Sequence, residues 1–310
     1  MTSFDIKEAY LKFLKDDPDM TMPIAAIESL VLMLRQQRPT TLLELITLVR
    51  KNIDVLKSSF SNAVSLSAGC DLFMRFVLRN TNVNMDWESC MKNLSENGQL
   101  FVQRAKESRE KLAEYGLPFI EDDDTILVHS YSRVVYHLLW KAKTERLVRF
   151  KVVVTESRPT EKGLLMALLL REAGIPVEVI VDNAVGYVMH NVDKVLVGAE
   201  GVVESGGIIN HIGSYQIGSL AKSNNKPFYV VTESHKFVRL FPLSPNDLPN
   251  KIQELVTSAN LDNSLTNDKS SLSRQLIDYT PGEYITALIT DLGVLTPAAV
   301  SEELIKVWYD

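Results

Sequence analysis

The sequence is poor in cysteine, and this scarcity limits the kinds of protein that it can encode. Only Cys70 and Cys90 occur among 310 residues. Their spacing fits neither a metal site nor a disulfide framework, and both lie in helical patterns, where a free thiol usually serves as a small core residue. The five histidines also lack the spacing of a zinc site. We therefore expect no metal, and a location in a reducing compartment, most simply the cytoplasm.

Long apolar runs and an excess of basic residues are missing as well. No apolar run is long enough to cross a membrane, and residues 1–14 alternate charged and apolar side chains, unlike a secretory signal. The formal net charge is -6, whereas a dedicated nucleic-acid binder needs a surplus of Lys and Arg to displace phosphate counterions. With 45% hydrophobic and 23% charged residues, the chain is expected to be globular. We expect neither a membrane nor a nucleic acid as a direct partner.

Glycine is scarce at the start of the chain, where helical patterns dominate. Only three of the fourteen glycines precede residue 119. Apolar residues repeat at three- and four-residue spacing, for example in the segment that begins at Leu42 and continues through Leu56. Similar patterns cover 6–14, 23–37, 68–79 and 87–115. Residues 1–118 are therefore predicted to form a helical bundle domain.

Beyond residue 118 the pattern changes to short apolar strands that alternate with helices. The strands are predicted at 125–129, 150–154, 176–181, 194–197, 227–231 and 285–289. Such alternation is typical of a parallel sheet covered by helices on both faces. Residues 119–310 are thus predicted to form a Rossmann-like α/β domain, with a surface excursion at 258–273 and a closing helix at 297–308.

A glycine-rich stretch at 198–214 is the most informative segment. It follows a predicted strand and precedes a helix, so it is expected at the carboxyl end of the sheet, where open α/β folds bind ligands. Backbone amides at such a turn and helix start favour an anion, typically a phosphate. The spacing is neither a dinucleotide fingerprint nor a Walker loop. The alternative interpretation is a tight structural turn without a ligand.

Polar residues follow two other predicted strands and point to the same edge. Ser130, Tyr131 and Arg133 come after the first strand, and Arg158 comes after the second. An arginine there can bind a phosphate or carboxylate group, or it can pair with a neighbouring acid such as Glu156. Ser130 beside a histidine suggests a hydrolase, but the G-x-S-x-G elbow is absent and adjacent strand residues face opposite ways.

Several segments together resemble the family that joins the alpha, beta and delta subunits of initiation factor 2B to methylthioribose-1-phosphate and ribose-1,5-bisphosphate isomerases. The similarity spans nearly the whole chain. The segments that carry it are 126–135, 154–159, 182–187, 197–214, 226–234 and 291–297. The chain is short and has no long N-terminal extension, so within this family it resembles the alpha subunits. The resemblance implies an N-terminal helical domain and a sheet of the sugar-phosphate-isomerase type.

The resemblance also implies that the chemistry of the isomerases is lost. Those enzymes carry a catalytic cysteine where this sequence has Ser130, and a catalytic aspartate where it has Glu200. An aldose–ketose isomerisation needs a proton donor and acceptor placed across two carbons, and a misplaced carboxylate lowers the rate strongly. We therefore predict no catalytic residue and no cofactor, but a pocket for a sugar phosphate or another phosphate ligand. Its predicted residues are Ser130, Tyr131, Arg133, Arg158, Glu200, Asn210 and His211.

The function that this resemblance implies is regulation of a guanine-nucleotide exchange complex. The α/β domain would form a homodimer and join the beta and delta subunits of the complex, with an apolar run at 237–243 as a candidate contact or, alternatively, a buried loop. The helical domain would bind the phosphorylated alpha subunit of initiation factor 2, with basic residues such as Arg75 and Arg79 near the phosphoserine. The alternative function is an active sugar-phosphate isomerase.

Overall fold

The computed structural model describes residues 4–17, 20–37, 39–60, 64–81, 87–242, 247, 255–257 and 273–309. The chain begins with five helices, as the apolar repeats predict. They are α1 (Ile6–Asp16), α2 (Met22–Gln37), α3 (Leu42–Ser59), α4 (Val64–Asn80) and α5 (Trp87–Gly116). Asp5 caps α1 by accepting two backbone hydrogen bonds, and Thr41 caps α3. Helix α2 is the centre of this domain, because it packs against α1, α4 and α5 and buries apolar side chains over most of its length.

Helix α5 joins the helical domain to the rest of the chain. It packs on α2 and also on the first helix of the α/β domain. At that second contact Lys141 is buried and forms an ion pair with Glu110 of α5. A single 3-10 turn, Leu117–Phe119, follows α5, and the boundary predicted after residue 118 falls within this turn.

A seven-stranded sheet forms the centre of the second domain. Its strands are β1 (Thr125–His129), β2 (Lys151–Thr155), β3 (Val177–Ile180), β4 (Lys194–Val197), β7 (Phe228–Val231), β11 (Ala287–Thr290) and β12 (Gly293–Leu295). The order across the sheet is β12-β11-β7-β4-β1-β2-β3. All neighbours pair in parallel except β11 and β12, which form an antiparallel edge. The predicted strands are confirmed, and β12 is an additional strand.

Helices cover both faces of this sheet. The helices are α6 (Arg133–Thr144), α7 (Lys162–Glu172), α8 (Val185–Val188), α9 (Ser214–Ser223) and α10 (Val300–Tyr309). Side chains of α6 and α7 pack on one face, and those of α8, α9 and α10 pack on the other. Every residue of β1 and β4 is buried, because both faces of these central strands are covered. The predicted fold, a helical domain followed by a Rossmann-like α/β domain, is confirmed.

The glycine-rich stretch contains strands that the sequence did not predict. β5 (Gly201–Val202), β6 (Ile208–His211) and β10 (Ile277–Thr280) form a small antiparallel sheet in the order β10-β6-β5. The turn between β5 and β6 requires glycine at 206, where φ is +77° and a Cβ atom would lie 2.1 Å from a backbone oxygen. A further strand pair, β8 (Leu255–Thr257) and β9 (Ser273–Gln275), is also present. Most of the predicted surface excursion, 258–272, lies outside the described residues.

Candidate functional site

A cavity of about 200 Å³ lies where the carboxyl ends of β1 and β4 face the helical domain. Part of its wall comes from helices α2 and α4 and the residue before α2, so the cavity is shared between the two domains. The helical domain contributes Thr21, Met22, Pro23 and Ser65. The α/β domain contributes Tyr131, Ser132, Arg133, Val134, Lys162, Gly198, Ala199, Glu200, Asn210, Glu233 and Lys236. Four of the seven predicted ligand residues therefore meet here: Tyr131, Arg133, Glu200 and Asn210.

The N-terminus of α6 forms one wall of the cavity. Residues 131–134 line it, and Ser132 is the N-cap of the helix. Gly198 allows β4 to approach this turn closely, because a Cβ atom at Gly198 would lie only 2.4 Å from the Ser132 hydroxyl oxygen. The unpaired amides and the dipole at the start of a helix favour a negatively charged group. The helix start that can receive an anion is therefore that of α6.

Three cationic side chains line the cavity beside this helix start. Arg133 donates a hydrogen bond through Nη1 to the Met20 carbonyl at 2.5 Å, and Lys236 lies 3.0 Å from the Glu233 carboxylate. Lys162, in the first turn of α7, forms no ion pair with the residues that the structure describes. Burial alone would raise the pKa of Glu233, but Lys236 and a neighbouring histidine lower it to about 2. With two carboxylates against three cations, the cavity wall retains a positive charge.

Glu200 and Ser130 stand where the sequence comparison with the isomerases expects a catalytic aspartate and cysteine, and their surroundings differ. The hydroxyl of Ser65 lies 2.7 Å from both the Glu200 carboxylate and the Glu200 carbonyl oxygen, so this acid is held by the helical domain. Ser130 is buried with φ at +61°. Its hydroxyl has no hydrogen-bond partner among the described residues, and it does not line the cavity.

Two buried histidines lie beside the cavity. His129 donates through Nε2 to the Ile212 carbonyl at 2.8 Å, so its Nδ1 accepts from the Thr155 hydroxyl at 2.7 Å. Burial lowers the pKa of His129, which keeps it neutral. Burial, assisted by the positive charge of Lys162, lowers the pKa of His211 to about 4. Since both ring nitrogens of His129 are engaged elsewhere, it does not act as a base for Ser130.

Arg158 lies outside the cavity. Its side chain is 59% exposed and pairs with two acids, with a distance of 3.1 Å to Glu156 and a closer contact to Glu161. This is the alternative that the sequence left open for this arginine. His211 also lies outside the cavity and bonds the Thr160 hydroxyl at 2.9 Å.

The amides at the start of α9, which the sequence predicted as an anion site, are occupied by an internal acid. Asp278 of β10 accepts hydrogen bonds from the backbone amides of Gly213 at 2.8 Å and Tyr215 at 3.1 Å. Sequence reasoning missed Asp278, Lys162 and Lys236. Lys162 follows the second strand by only a few residues, so its position near a strand end was a usable signal. No local pattern indicated Asp278, since its partners lie more than sixty residues away.

Within the described ranges, no helix is long and apolar enough to span a lipid bilayer. The fold and the cavity together define a helical domain joined to a mostly parallel α/β sheet, with a cavity shared between the two. Residues 15–297 match the model of the "Initiation factor 2 subunit family". The chain therefore belongs to that family.

Individual relatives include both initiation factors and an enzyme. The chain is 41% identical over 304 residues to the translation initiation factor eIF2B subunit alpha of Dictyostelium discoideum, covering 96% of this chain and 94% of that protein. The corresponding subunit of Caenorhabditis elegans is 36% identical over 298 residues, 95% of each chain. The ribose 1,5-bisphosphate isomerase of Archaeoglobus fulgidus is 33% identical over 250 residues, 79% of this chain and 75% of that enzyme.

Solved structures show the same fold. The translation initiation factor eIF-2B of Pyrococcus horikoshii OT3 superposes with a TM-score of 0.70 and 27% identity, covering 94% of this chain and 98% of that one. A chain of the tetrameric eIF2B-beta2-delta2 complex from C. thermophilum superposes with a TM-score of 0.76, covering 98% of this chain and 96% of that one. At 15% identity the second likeness concerns the fold alone.

Proposed function

We propose that this chain is a regulatory, alpha-type subunit of the initiation factor 2B exchange complex in the cytoplasm, with a ligand pocket that carries out no chemistry. Family membership supports the place in translation initiation. The two eIF2B alpha subunits that match over at least 94% of both chains support the alpha type. The observation that carries the pocket proposal is the cationic cavity shared by the two domains.

The ligand that suits this cavity is a sugar phosphate. A phosphate group fits the start of α6, where backbone amides, the helix dipole and the nearby charges of Arg133 and Lys162 all favour an anion. The hydroxyl groups of a sugar match the acceptor oxygens of Glu200 and Asn210 on the same wall. A ligand held in this way touches both domains, so its binding stabilises their contact.

The surroundings of Ser130 and Glu200 support a pocket without catalysis. Proton transfer requires groups that reach the substrate and that change protonation state near neutral pH. The Ser130 hydroxyl lies outside the cavity wall, and both ring nitrogens of the adjacent residue, His129, are engaged with other partners. The Glu200 carboxylate is bound by Ser65. An aldose–ketose isomerase assay that detects turnover with ribose 1,5-bisphosphate would replace this proposal with the alternative function.

The proposed partners are a second copy of this chain, the beta and delta subunits, and the phosphorylated alpha subunit of initiation factor 2. Within the apolar run at 237–243, Phe237 and Val238 are buried, while Phe241 is 62% exposed and is available for contact. On the helical domain, Arg75 is buried and Arg79 is exposed. This difference supports Arg79 as the proposed contact to the phosphoserine. Native mass spectrometry tests the homodimer, and a monomeric chain would refute it.

Regulation requires that the chain distinguish the phosphorylated partner from the unphosphorylated one. A pull-down with both forms of the alpha subunit of initiation factor 2, using the assembled complex, tests this requirement. We expect stronger retention of the phosphorylated form. Equal retention of the two forms would contradict the sensing role while leaving the pocket proposal intact.

Isothermal titration calorimetry with several sugar phosphates and with inorganic phosphate tests the pocket. We expect Lys162→Met to weaken sugar-phosphate binding about tenfold, because a charge-assisted contact contributes roughly 1.5 kcal/mol or more. The matched control is Lys151→Met. It removes an exposed lysine at the amino-terminal end of β2, away from the cavity, and should leave affinity unchanged. The pocket proposal is wrong if the unaltered chain gives no heat and no thermal stabilisation with any of these ligands.

A further inference from the structure

Asp278 lies on β10, directly opposite Asn210 of β6 in the antiparallel register. Paired residues of neighbouring strands project from the same face of a sheet, so both side chains face the start of α9. Asn210 lines the ligand cavity, whereas Asp278 is buried and is absent from the cavity wall. Asp278 is therefore placed to act on the cavity only through its neighbours.

The start of α9 depends on Asp278 because its own N-cap carries no side chain. The N-cap is Gly213, with φ at +108° and no side-chain cap. Glycine suits this backbone conformation, and a Cβ atom would also lie 3.0 Å from the His129 ring. Asp278 takes the place of a cap by accepting hydrogen bonds from the Gly213 and Tyr215 amides through one oxygen, Oδ2.

Ser214, the first residue of α9, connects the start of this helix to Asn210 through a side-chain hydrogen bond. Its hydroxyl donates to the His211 carbonyl at 2.7 Å, since a carbonyl can only accept. The same oxygen lies 2.9 Å from Asn210 Nδ2 and must accept from it. The amide orientation of Asn210 is thereby fixed, with Nδ2 toward Ser214 and Oδ1 left to accept from a group in the cavity.

We propose that Asp278 is a positioning residue of the ligand cavity: it holds the first turn of α9, so that Ser214 orients Asn210 to accept a hydrogen bond from a hydroxyl group of the bound sugar phosphate. This inference rests on the proposed function of the cavity. It goes beyond helix capping, because a cap with no role in binding would affect stability and leave ligand affinity unchanged.

A double-mutant cycle measured by calorimetry with the tightest-binding sugar phosphate tests the proposal. Asn210→Ala should weaken binding about tenfold, the loss expected for one hydrogen bond to the ligand. Asp278→Asn, which replaces the carboxyl group by an amide of similar shape with a single acceptor oxygen, should weaken it about fivefold, and Ser214→Ala by a similar factor. In the Asn210→Ala background neither change should weaken binding further. Losses that multiply instead would overturn the proposal.

The matched control is Asp193→Asn. Asp193 also accepts a backbone hydrogen bond, from Thr125 at 2.8 Å. It precedes β4, however, and so lies at the amino-terminal ends of the strands, away from the cavity. This variant should bind the sugar phosphate as the unaltered chain does. A loss of affinity equal to that of Asp278→Asn would show that any such carboxylate matters through stability alone, and the proposal would be wrong.

A ligand-free measurement separates this inference from the proposed function. In protein labelled with ¹⁵N-asparagine, the Asn210 side-chain amide signal is assigned by its loss in Asn210→Ala. Asp278→Asn should shift this signal and speed its hydrogen exchange about tenfold, and Asp193→Asn should not. If the unaltered chain binds no sugar phosphate, the proposed function fails while this measurement still tests the positioning. An Asn210 signal unchanged by Asp278→Asn would refute the positioning itself.

Discussion

The buried carboxyl group of Asp278 should make the stability of this protein depend on pH in a way that one substitution removes. Burial raises the pKa of Asp278 from 3.8 to about 7, although hydrogen bonds from the Tyr215 and Gly213 amides partly oppose the shift. Between these two pH values the folded protein keeps a proton that the unfolded chain has released. The contribution of Asp278 protonation to stability is therefore fully present below about pH 4 and is lost as the pH rises to about 7.

The size of the effect follows from proton linkage. In the window where only the folded state holds the proton, the free energy of unfolding falls by about 1.4 kcal/mol per pH unit. From pH 5 to pH 7 the Asp278 contribution falls by about 2 kcal/mol, because the slope flattens as the pH reaches the folded-state pKa. Asp278→Asn should lack this contribution, because the amide does not titrate. Groups with lowered pKa values, such as Glu233, change stability equally in both proteins and cancel in the comparison.

Urea unfolding of both proteins, followed by tryptophan fluorescence at pH 5, 6, 7 and 8, measures this difference. The gap between Asp278→Asn and the unaltered chain should move in favour of the variant by about 2 kcal/mol between pH 5 and pH 7, and then level off towards pH 8. A gap that stays constant with pH would refute the reasoning.

Two further predictions concern close packing and a buried charge. Gly163→Ala should lower the free energy of unfolding, measured in urea, by about 3 kcal/mol, because its Cβ atom would lie 1.7 Å from the Thr155 carbonyl oxygen. Gly186→Ala is the control that should be tolerated, because no atom lies nearer than 4.0 Å to its Cβ position. Equal losses in the two variants would contradict this prediction. Lys194→Met should cost about 3 kcal/mol, since it leaves Asp124, 2.8 Å away and buried, without its cation. Adding Asp124→Asn should recover part of that loss, and a further loss would argue against the pair.

The secondary structure was largely predictable because it follows from local patterns. The helix that begins at Leu42 shows an apolar repeat that matches its buried face, and it ends near the predicted position. The strands at 125–129 and 194–197 were predicted at their observed bounds, because their continuous apolar runs suit burial on both faces. The strands of the small sheet were missed, since β5 has only two residues and β6 pairs with β10, which lies far along the chain.

The candidate site was only partly predictable. Tyr131, Arg133 and Glu200 line the cavity because they follow β1 and β4, and parallel strands end at one edge of the sheet. Asn210 reaches the cavity from β6 of the small antiparallel sheet. Arg158 also follows a strand, yet its side chain turns to acids on the surface. Spacing along the chain places a residue near an edge, but the packing of its neighbours decides where its side chain points.

The sequence by itself determined the order of helices and strands, the α/β class and the edge of the sheet that carries the polar residues, because each depends on periodicity over a few residues. Only the tertiary structure decided that the helical domain closes the cavity, through Ser65 on Glu200, and that Asp278 occupies the amides at the start of α9. The first contact joins residues that are 135 positions apart, and the second joins residues that are more than sixty positions apart. Such contacts form only when distant segments meet, and no local pattern encodes that meeting.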